Sequence, residues 1–184
     1  TAVADATKMK TAVVILNWNT EGFLKEFLPS LLHSVKKVEG AEVVVADNAS
    51  TDGSMKVMTE MFPDVKTITF DRNYGFTGGY NKAFSQIESE YFVLINSDIE
   101  VTEDWLTPLV DWMDNHPGCG ACAPKLHSWQ EREKFEYAGA DAVTKEVLLT
   151  YPIEESIDYE TSTSSGDVST YDDDMFLYAP KRQE

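Results

Sequence analysis

Three features of the sequence predict an α/β protein with an open, mostly parallel sheet and helices on both faces. Short apolar, β-rich runs alternate with helical patterns from Thr11 to Pro124. The runs are apolar throughout rather than at every second residue, as befits strands covered on both faces. Each run also ends in a group of Asn, Asp, Ser or Gly, which mark turns at strand ends.

AVVILN, Ala12 to Asn17, reads as the first strand. GFLKEFLPSLLHSV, Gly22 to Val35, then sets Phe23, Phe27, Leu28, Leu31, Leu32 and Val35 on one helical face, with Pro29 as a kink point. EVVVA, Glu42 to Ala46, is the second strand, and SMKVMTEMF, Ser54 to Phe62, is a helix stopped by Pro63. VKTITF, Val65 to Phe70, is the third strand, GGYNKAFSQI, Gly78 to Ile87, the next helix, and YFVLI, Tyr91 to Ile95, the fourth strand. A last helix is expected from Thr102, as N-cap with acids in its first turn, to Asn115, before His116-Pro117-Gly118 ends it.

The 184 residues, 42% hydrophobic and 26% charged, suit a globular chain with one core. No run approaches the roughly 18 apolar residues of a membrane-spanning helix, and TAVADATKMK lacks a signal-peptide centre, so a cytoplasmic address is expected. Fifteen Lys and Arg against 32 Asp and Glu give a formal net charge of −17 and exclude non-specific nucleic-acid binding, which depends on basic side chains. Tyr151 to Asp174 holds eight acidic residues and no Lys or Arg, and reads as a solvated loop or tail. Cys119 and Cys122 form a C-x-x-C outside a helix start and without a second pair, which favours packing over redox or zinc chemistry. His33, His116 and His127 lie at no metal-ligand spacing.

In open α/β sheets, ligands bind beyond the carboxyl ends of the strands. Those ends read Asn17-Trp18-Asn19, Asp47-Asn48-Ala49-Ser50-Thr51-Asp52-Gly53, Asp71-Arg72-Asn73-Tyr74-Gly75 and Asn96-Ser97-Asp98. Each alone is also what an ordinary turn shows; four in one sheet point to a shared crevice. Neither G-x-G-x-x-G nor a P-loop is present, so phosphates are not cradled by a glycine turn after the first strand. Asp98 is the candidate ligand for Mg²⁺ or Mn²⁺, because hard cations take one or two carboxylates and complete their shell with ligand phosphates. Asp47 suits the ring N–H of a pyrimidine, a donor that a carboxylate accepts. In the loop from Asp71 to Lys82, Arg72 and Lys82 are the cations best placed for an anion, and Asn81 and Lys82 are expected in the first turns of a helix facing the ligand.

VVILNWN, VVVADNASTDGS, RNYGFTGGYNKA and LINSDIEV, in this order, resemble family 2 glycosyltransferases of the GT-A fold, and especially their rhamnosyltransferase-like branch, over about residues 11 to 140. The resemblance implies a Rossmann-like nucleotide-diphospho-sugar transferase fold and an inverting transfer of a sugar, rhamnose among the candidates, from a UDP- or dTDP-sugar to a saccharide or lipid-linked acceptor hydroxyl, with Mg²⁺ or Mn²⁺ assisting. By position, Asn17, Asn19 and Asp47 match the nucleoside-binding residues, and Arg72 and Asn73 the next donor contacts. Gly79 and Asn81 lie beside them, and Asn96-Ser97-Asp98 stands where the family has D-x-D, with Asn in place of the first Asp.

The general base has no firm match; Asp172, Asp173 and Asp174, within an acidic-then-aromatic run, are its candidates. The resemblance divides the chain into an N-terminal extension (1–10), a nucleotide-sugar-binding domain (11–150) and an acidic C-terminal segment (151–184), and suggests a truncated donor-binding half. A lipid-linked acceptor would place the domain at the inner face of a membrane. The alternatives are a domain that binds nucleotide sugar without turnover, and a nucleotidyltransferase, which Asn17-Trp18-Asn19-Thr20-Glu21-Gly22 disfavours because such enzymes place a basic glycine loop there.

Overall fold

The computed structural model describes residues 9–137 and 176–179. Four strands, β1 (Met9–Asn17), β2 (Ala41–Asp47), β3 (Lys66–Thr69) and β4 (Ser89–Ile95), form a parallel sheet in the order β3-β2-β1-β4. Successive residues of β1 and β2 enter opposite cores, as the two-residue strand period requires. Val13, Ile15, Val43 and Val45 pack with α1 (Glu21–Val35), α2 (Ser54–Met61) and α4 (Leu106–Asn115). Ala12, Val14, Val44 and Ala46 pack with α3 (Gly75–Phe84) on the other face. The apolar, two-sided strands anticipated from sequence are therefore present, with helices on both faces. Pro29 lies inside α1 without dividing it.

A second sheet was not legible in the sequence. β5 (Glu100–Val101), β6 (Lys125–Ser128), β7 (Phe135–Tyr137) and β8 (Phe176–Ala179) pair in the order β5-β8-β6-β7. β8 runs antiparallel to β5 and parallel to β6. This sheet corrects the helix expected at Thr102. The Glu100↔Tyr178 and Val101↔Leu177 pairs keep the chain extended, and the helix begins only at Leu106, with Trp105 at its N-cap. Trp105 is fully buried, and its Nε1 donates to Ser34 Oγ at 3.0 Å, fastening α4 to α1.

The start of α3 is also earlier than expected, at Gly75 rather than Gly78. Asn48 sets it: Oδ1 accepts the Tyr74 N–H at 2.8 Å, and Nδ2 donates to the Gly75 carbonyl at 3.0 Å. Gly75 meets this turn at φ +71°, a region costly to other residues. Asn81 and Lys82 consequently lie in the second half of the helix, Lys82 in its last turn, rather than in first turns facing a ligand.

Cys119 and Cys122 are free thiols. Cys122 packs against the larger core, where burial pushes its thiol pKa up. No helix among the described residues is long and apolar enough to cross a membrane.

Candidate active site

The carboxyl ends of β1 and β2 are fixed to each other by side chains. Asn17, fully buried, donates through Nδ2 to Asp47 Oδ1 at 2.7 Å and to Ser50 Oγ at 2.9 Å, while its Oδ1 accepts from Thr20 Oγ1. Asp47, 3% exposed, also accepts the Ser50 N–H on Oδ2 at 3.0 Å. Asn19 takes φ +56°, which its short amide tolerates, and Oδ1 accepts the N–H groups of Thr51 and Asp52 at 2.7 and 3.3 Å. Ala49 holds φ +61° in the same turn, a conformation costing about 1–2 kcal/mol for a residue with a Cβ. The bonds around Asp47 and Ser50 offset it.

Two helix starts are joined across the same ends. Asp52 Oδ2 accepts the Glu21 N–H at 3.0 Å at the start of α1, and Oδ1 accepts the Ser54 N–H at 2.9 Å at the start of α2. Glu21 Oε2 in turn accepts the Gly53 N–H at 3.2 Å. Partial burial pushes the Asp52 carboxyl up, but donors from Ser54 and the Glu21 N–H outweigh it and hold the group below the ordinary carboxylate range. The carboxylates thus satisfy N–H groups that have no partner within their own helices.

At the third strand end, Asn73 Oδ1 accepts from Asn48 Nδ2 at 2.9 Å and from the Gly75 N–H at 2.7 Å. Arg72 is exposed, with its guanidinium 4.8 Å from the Tyr74 ring centroid; Lys82 Nζ is 4.5 Å from the same ring. Tyr74 donates its hydroxyl to Asp71 Oδ1 at 2.7 Å, and that hydrogen bond is the main cause holding the Asp71 carboxyl below its ordinary value. Gly79 is buried where α3 crosses the sheet. A Cβ there would stand 2.8 Å from both Leu16 methyls and 3.2 Å from Asn48 Nδ2, so glycine permits the close approach.

At the fourth end, Tyr80 of α3 donates its hydroxyl to the Ile95 carbonyl at 3.1 Å, and burial pushes that phenol up to about 12. Asn96 is exposed and Ser97 and Asp98 are buried, Asp98 being 7% exposed. No group of three or more His, Cys, Asp or Glu side chains poised for a metal occurs among the described residues. The protein's own donor set here is one carboxylate with the Asn96 amide nearby in sequence. It fits a hard oxygen-seeking cation that draws the rest of its shell from a ligand, not a closed protein cage.

The strand ends open on a cleft of about 950 Å³. Of the residues predicted from sequence, Asn19, Asn73 and Asn96 line it. Asn17 and Asp47 are buried beneath as braces, Gly79 sets packing, and Arg72, Asn81 and Asp98 are not part of the lining. Asp172, Asp173 and Asp174 lie outside the described residues. Sequence reasoning missed Asn48, whose amide reaches three partners, and the aromatic walls: Phe23, Phe76 and Trp129. Phe23 falls on the apolar face that the sequence predicts for α1, and Phe76 is 62% exposed. Only that exposure, invisible in sequence, distinguishes it from a core residue.

The family model Glycosyl transferase family 2 matches residues 12–176. TarS of Staphylococcus aureus, a poly(ribitol-phosphate) beta-N-acetylglucosaminyltransferase, is 28% identical over 111 residues, 59% of this chain and 19% of its own length. An N-acetylglucosaminyl-diphospho-decaprenol L-rhamnosyltransferase of Mycobacterium tuberculosis is 24% identical over 125 residues, 62% of this chain and 40% of its length. The chain therefore spans less than half the length of these relatives. Residues 1–349 of S. aureus TarS in complex with UDP-GlcNAc superpose with a TM-score of 0.51 at 25% identity, covering 65% of this chain and 34% of that one. The mannosyltransferase PcManGT of Pyrobaculum calidifontis, in complex with GDP-Man and Mn²⁺, shares the fold at a TM-score of 0.50 and 21% identity, covering 67% and 36%. The four parallel strands, their flanking helices and these neighbours define a GT-A fold. With a match that runs through all four strand ends, the chain belongs to glycosyl transferase family 2.

Proposed function

We propose that the cleft binds a nucleotide-diphospho-sugar and that the domain transfers its sugar, with inversion, to an acceptor hydroxyl. The observation that carries this reading is the convergence of Asn19, Asn73 and Asn96, from three different strand ends, on one cleft. Asp47 lies beneath the lining and would accept the ring N–H of a pyrimidine that reaches down to it: each of its oxygens takes one protein hydrogen bond and keeps a lone pair for another. Asn17 and Ser50 fix the carboxylate in that orientation. Arg72, beside Asn73, meets the diphosphate, and Asn81 lies on the adjoining helix. Gly79 lets that helix approach the sheet.

Asp98 would hold Mg²⁺ or Mn²⁺ together with donor phosphates, and Asn96 would border it. Such a cation stabilises charge on a departing diphosphate, worth several kcal/mol in comparable chemistry. The UDP-GlcNAc complex of TarS supports a UDP donor, and the relative named as an L-rhamnosyltransferase keeps rhamnose as a candidate sugar, with dTDP as the other candidate nucleotide. The relatives' names likewise support a saccharide or lipid-linked acceptor, the latter drawing the domain to a membrane surface. Asp172, Asp173 and Asp174 are the proposed source of the base that deprotonates the acceptor. Their support is the acidic-then-aromatic run of the sequence, and they lie outside the described residues.

Titration calorimetry with UDP, dTDP and UDP-GlcNAc, with and without Mn²⁺, tests the reading. UDP or dTDP should bind, more tightly with Mn²⁺, and Asp98→Ala should remove the metal dependence. Asp47→Ala should weaken binding about tenfold or more with or without metal, the scale of a charged hydrogen bond. Metal-independent binding by the unaltered chain would remove Asp98 from its role; no nucleotide binding would overturn the whole reading. Binding without transfer or donor hydrolysis would select the non-catalytic alternative.

A further inference from the structure

The described lining of the cleft is uncharged in a strongly acidic protein. The chain carries −17, yet no described residue lining the cleft bears a formal charge. Amides, including Asn73, Asn96 and Gln130, share the walls with the rings of Phe23 and Trp129. Trp129 and Gln130 follow β6, in the second sheet, and are distant in sequence from every strand end of the first.

The Trp129 ring is held in place by groups from both halves of the molecule. Its ring meets Phe27 of α1 edge-to-face at 5.3 Å and 87°. The Arg132 guanidinium lies 4.8 Å over it, and Arg132 Nη2 pairs with Glu100 Oε2 at 2.8 Å. Glu100 opens β5, two residues after Asp98. The turn that carries Trp129 is closed by Ser128 N–H to the Lys134 carbonyl at 2.9 Å and by His127 Nδ1 against the Arg132 carbonyl at 2.5 Å. A half-buried indole restrained in this way is a preformed surface and loses little freedom when a ligand reaches it.

A fixed aromatic ring beside neutral amides matches a sugar ring. The C–H groups of a pyranose are weakly positive and meet the negative face or border of an aromatic system, while its hydroxyls both donate to and accept from amides. A phosphate would find no cation in this lining. We propose that Trp129, with Phe23 and Gln130, forms a subsite for an uncharged pyranose ring. The inference rests on the nucleotide-sugar reading only for the source of that ring, the donor's own sugar or the acceptor's.

The test compares the full chain with Trp129→Ala, Trp129→Phe and Gln130→Ala, the last two keeping the comparison open if the first fails to fold. UDP and UDP-GlcNAc are titrated calorimetrically, and the methyl glycoside of N-acetylglucosamine is followed by saturation-transfer NMR. UDP should bind all four proteins equally. If the ring is the donor's, UDP-GlcNAc loses about tenfold in affinity in Trp129→Ala and less in Gln130→Ala, with Trp129→Phe close to the unaltered protein. If it is the acceptor's, the glycoside signal falls in the same order while UDP-GlcNAc is unchanged. Either result supports the subsite and names its source. UDP-GlcNAc and glycoside binding that is absent from the unaltered chain, or indifferent to all three substitutions, overturns it. Failure of UDP to bind the unaltered chain instead counts against the nucleotide reading, and the glycoside arm then decides the subsite alone.

Discussion

Along β1 the residues from Thr11 to Ile15 are all buried, whereas every residue of β6 is only half-buried and Phe135 of β7 is 50% exposed. β1 and β2 stay in register from Thr11↔Ala41 to Asn17↔Asp47; β5 and β8 share only Glu100↔Tyr178 and Val101↔Leu177. The two central strands of the first sheet are buried on both faces, and their ends are tied together by the Asn17, Asp47 and Ser50 side chains. The described residues of the second are less buried, and the chain after β6 brings Trp129 to the cleft. The two sheets thus differ in burial, although side chains fix the cleft residues that each supplies.

The sharpest way to break this contrast is to truncate one aromatic residue in each region. Trp105→Ala removes a fully buried ring that packs in the larger core and bonds Ser34, and should cost about 3–5 kcal/mol in urea denaturation. Phe135→Ala, at half exposure, should stay within about 1 kcal/mol. Comparable losses at both sites would mean that the second sheet is as integral as the first.

A smaller effect is expected at Gly79→Ala, where two terms oppose each other. Crowding Leu16 and Asn48 costs about 1–3 kcal/mol, and the better helix propensity of alanine returns up to about 1 kcal/mol. Net stability should change modestly, while nucleotide affinity falls because Leu16 and Asn48 both line the cleft. Unchanged affinity would show that the cleft tolerates movement at the ends of the first sheet.

The smallest effect concerns pH. The Asp52 carboxyl lies below its ordinary value in the folded protein, so its contribution is complete above the unfolded value of about 3.9 and is lost as pH falls through the lower folded value. The stability difference between the unaltered chain and Asp52→Asn should therefore narrow between pH 7 and pH 3. A constant difference would argue that the cap works through geometry alone.

The first sheet was readable because its information is local. VVIL and VVV are apolar without a break, and such runs admit few other structures. The errors arose where distant residues decide. Thr102 has the composition of a helix cap, but pairing with a strand some 75 residues later holds the preceding backbone extended. Gly75 opens α3 because Asn48, on another strand end, grips its turn. In the cleft the right residue types were visible, yet orientation was not: Asn17 points into the protein to hold Asp47, whereas Asn19, two residues on, reaches the lining. Trp129 carried almost no signal, since a tryptophan beside a glutamine after a short strand has no periodicity to place it.

The absence of charge among the described residues lining the cleft also bears on how fast a ligand arrives. With no cation among the described lining residues and Arg72 lying outside them, an approaching anion feels chiefly the field of the whole chain, and that field is repulsive at −17. Screening shortens the reach of such a field from about 30 Å at 0.01 M salt to about 10 Å at 0.1 M. Encounter with a diphosphate should accordingly quicken as ionic strength rises, the reverse of the behaviour of proteins that steer their anions electrostatically.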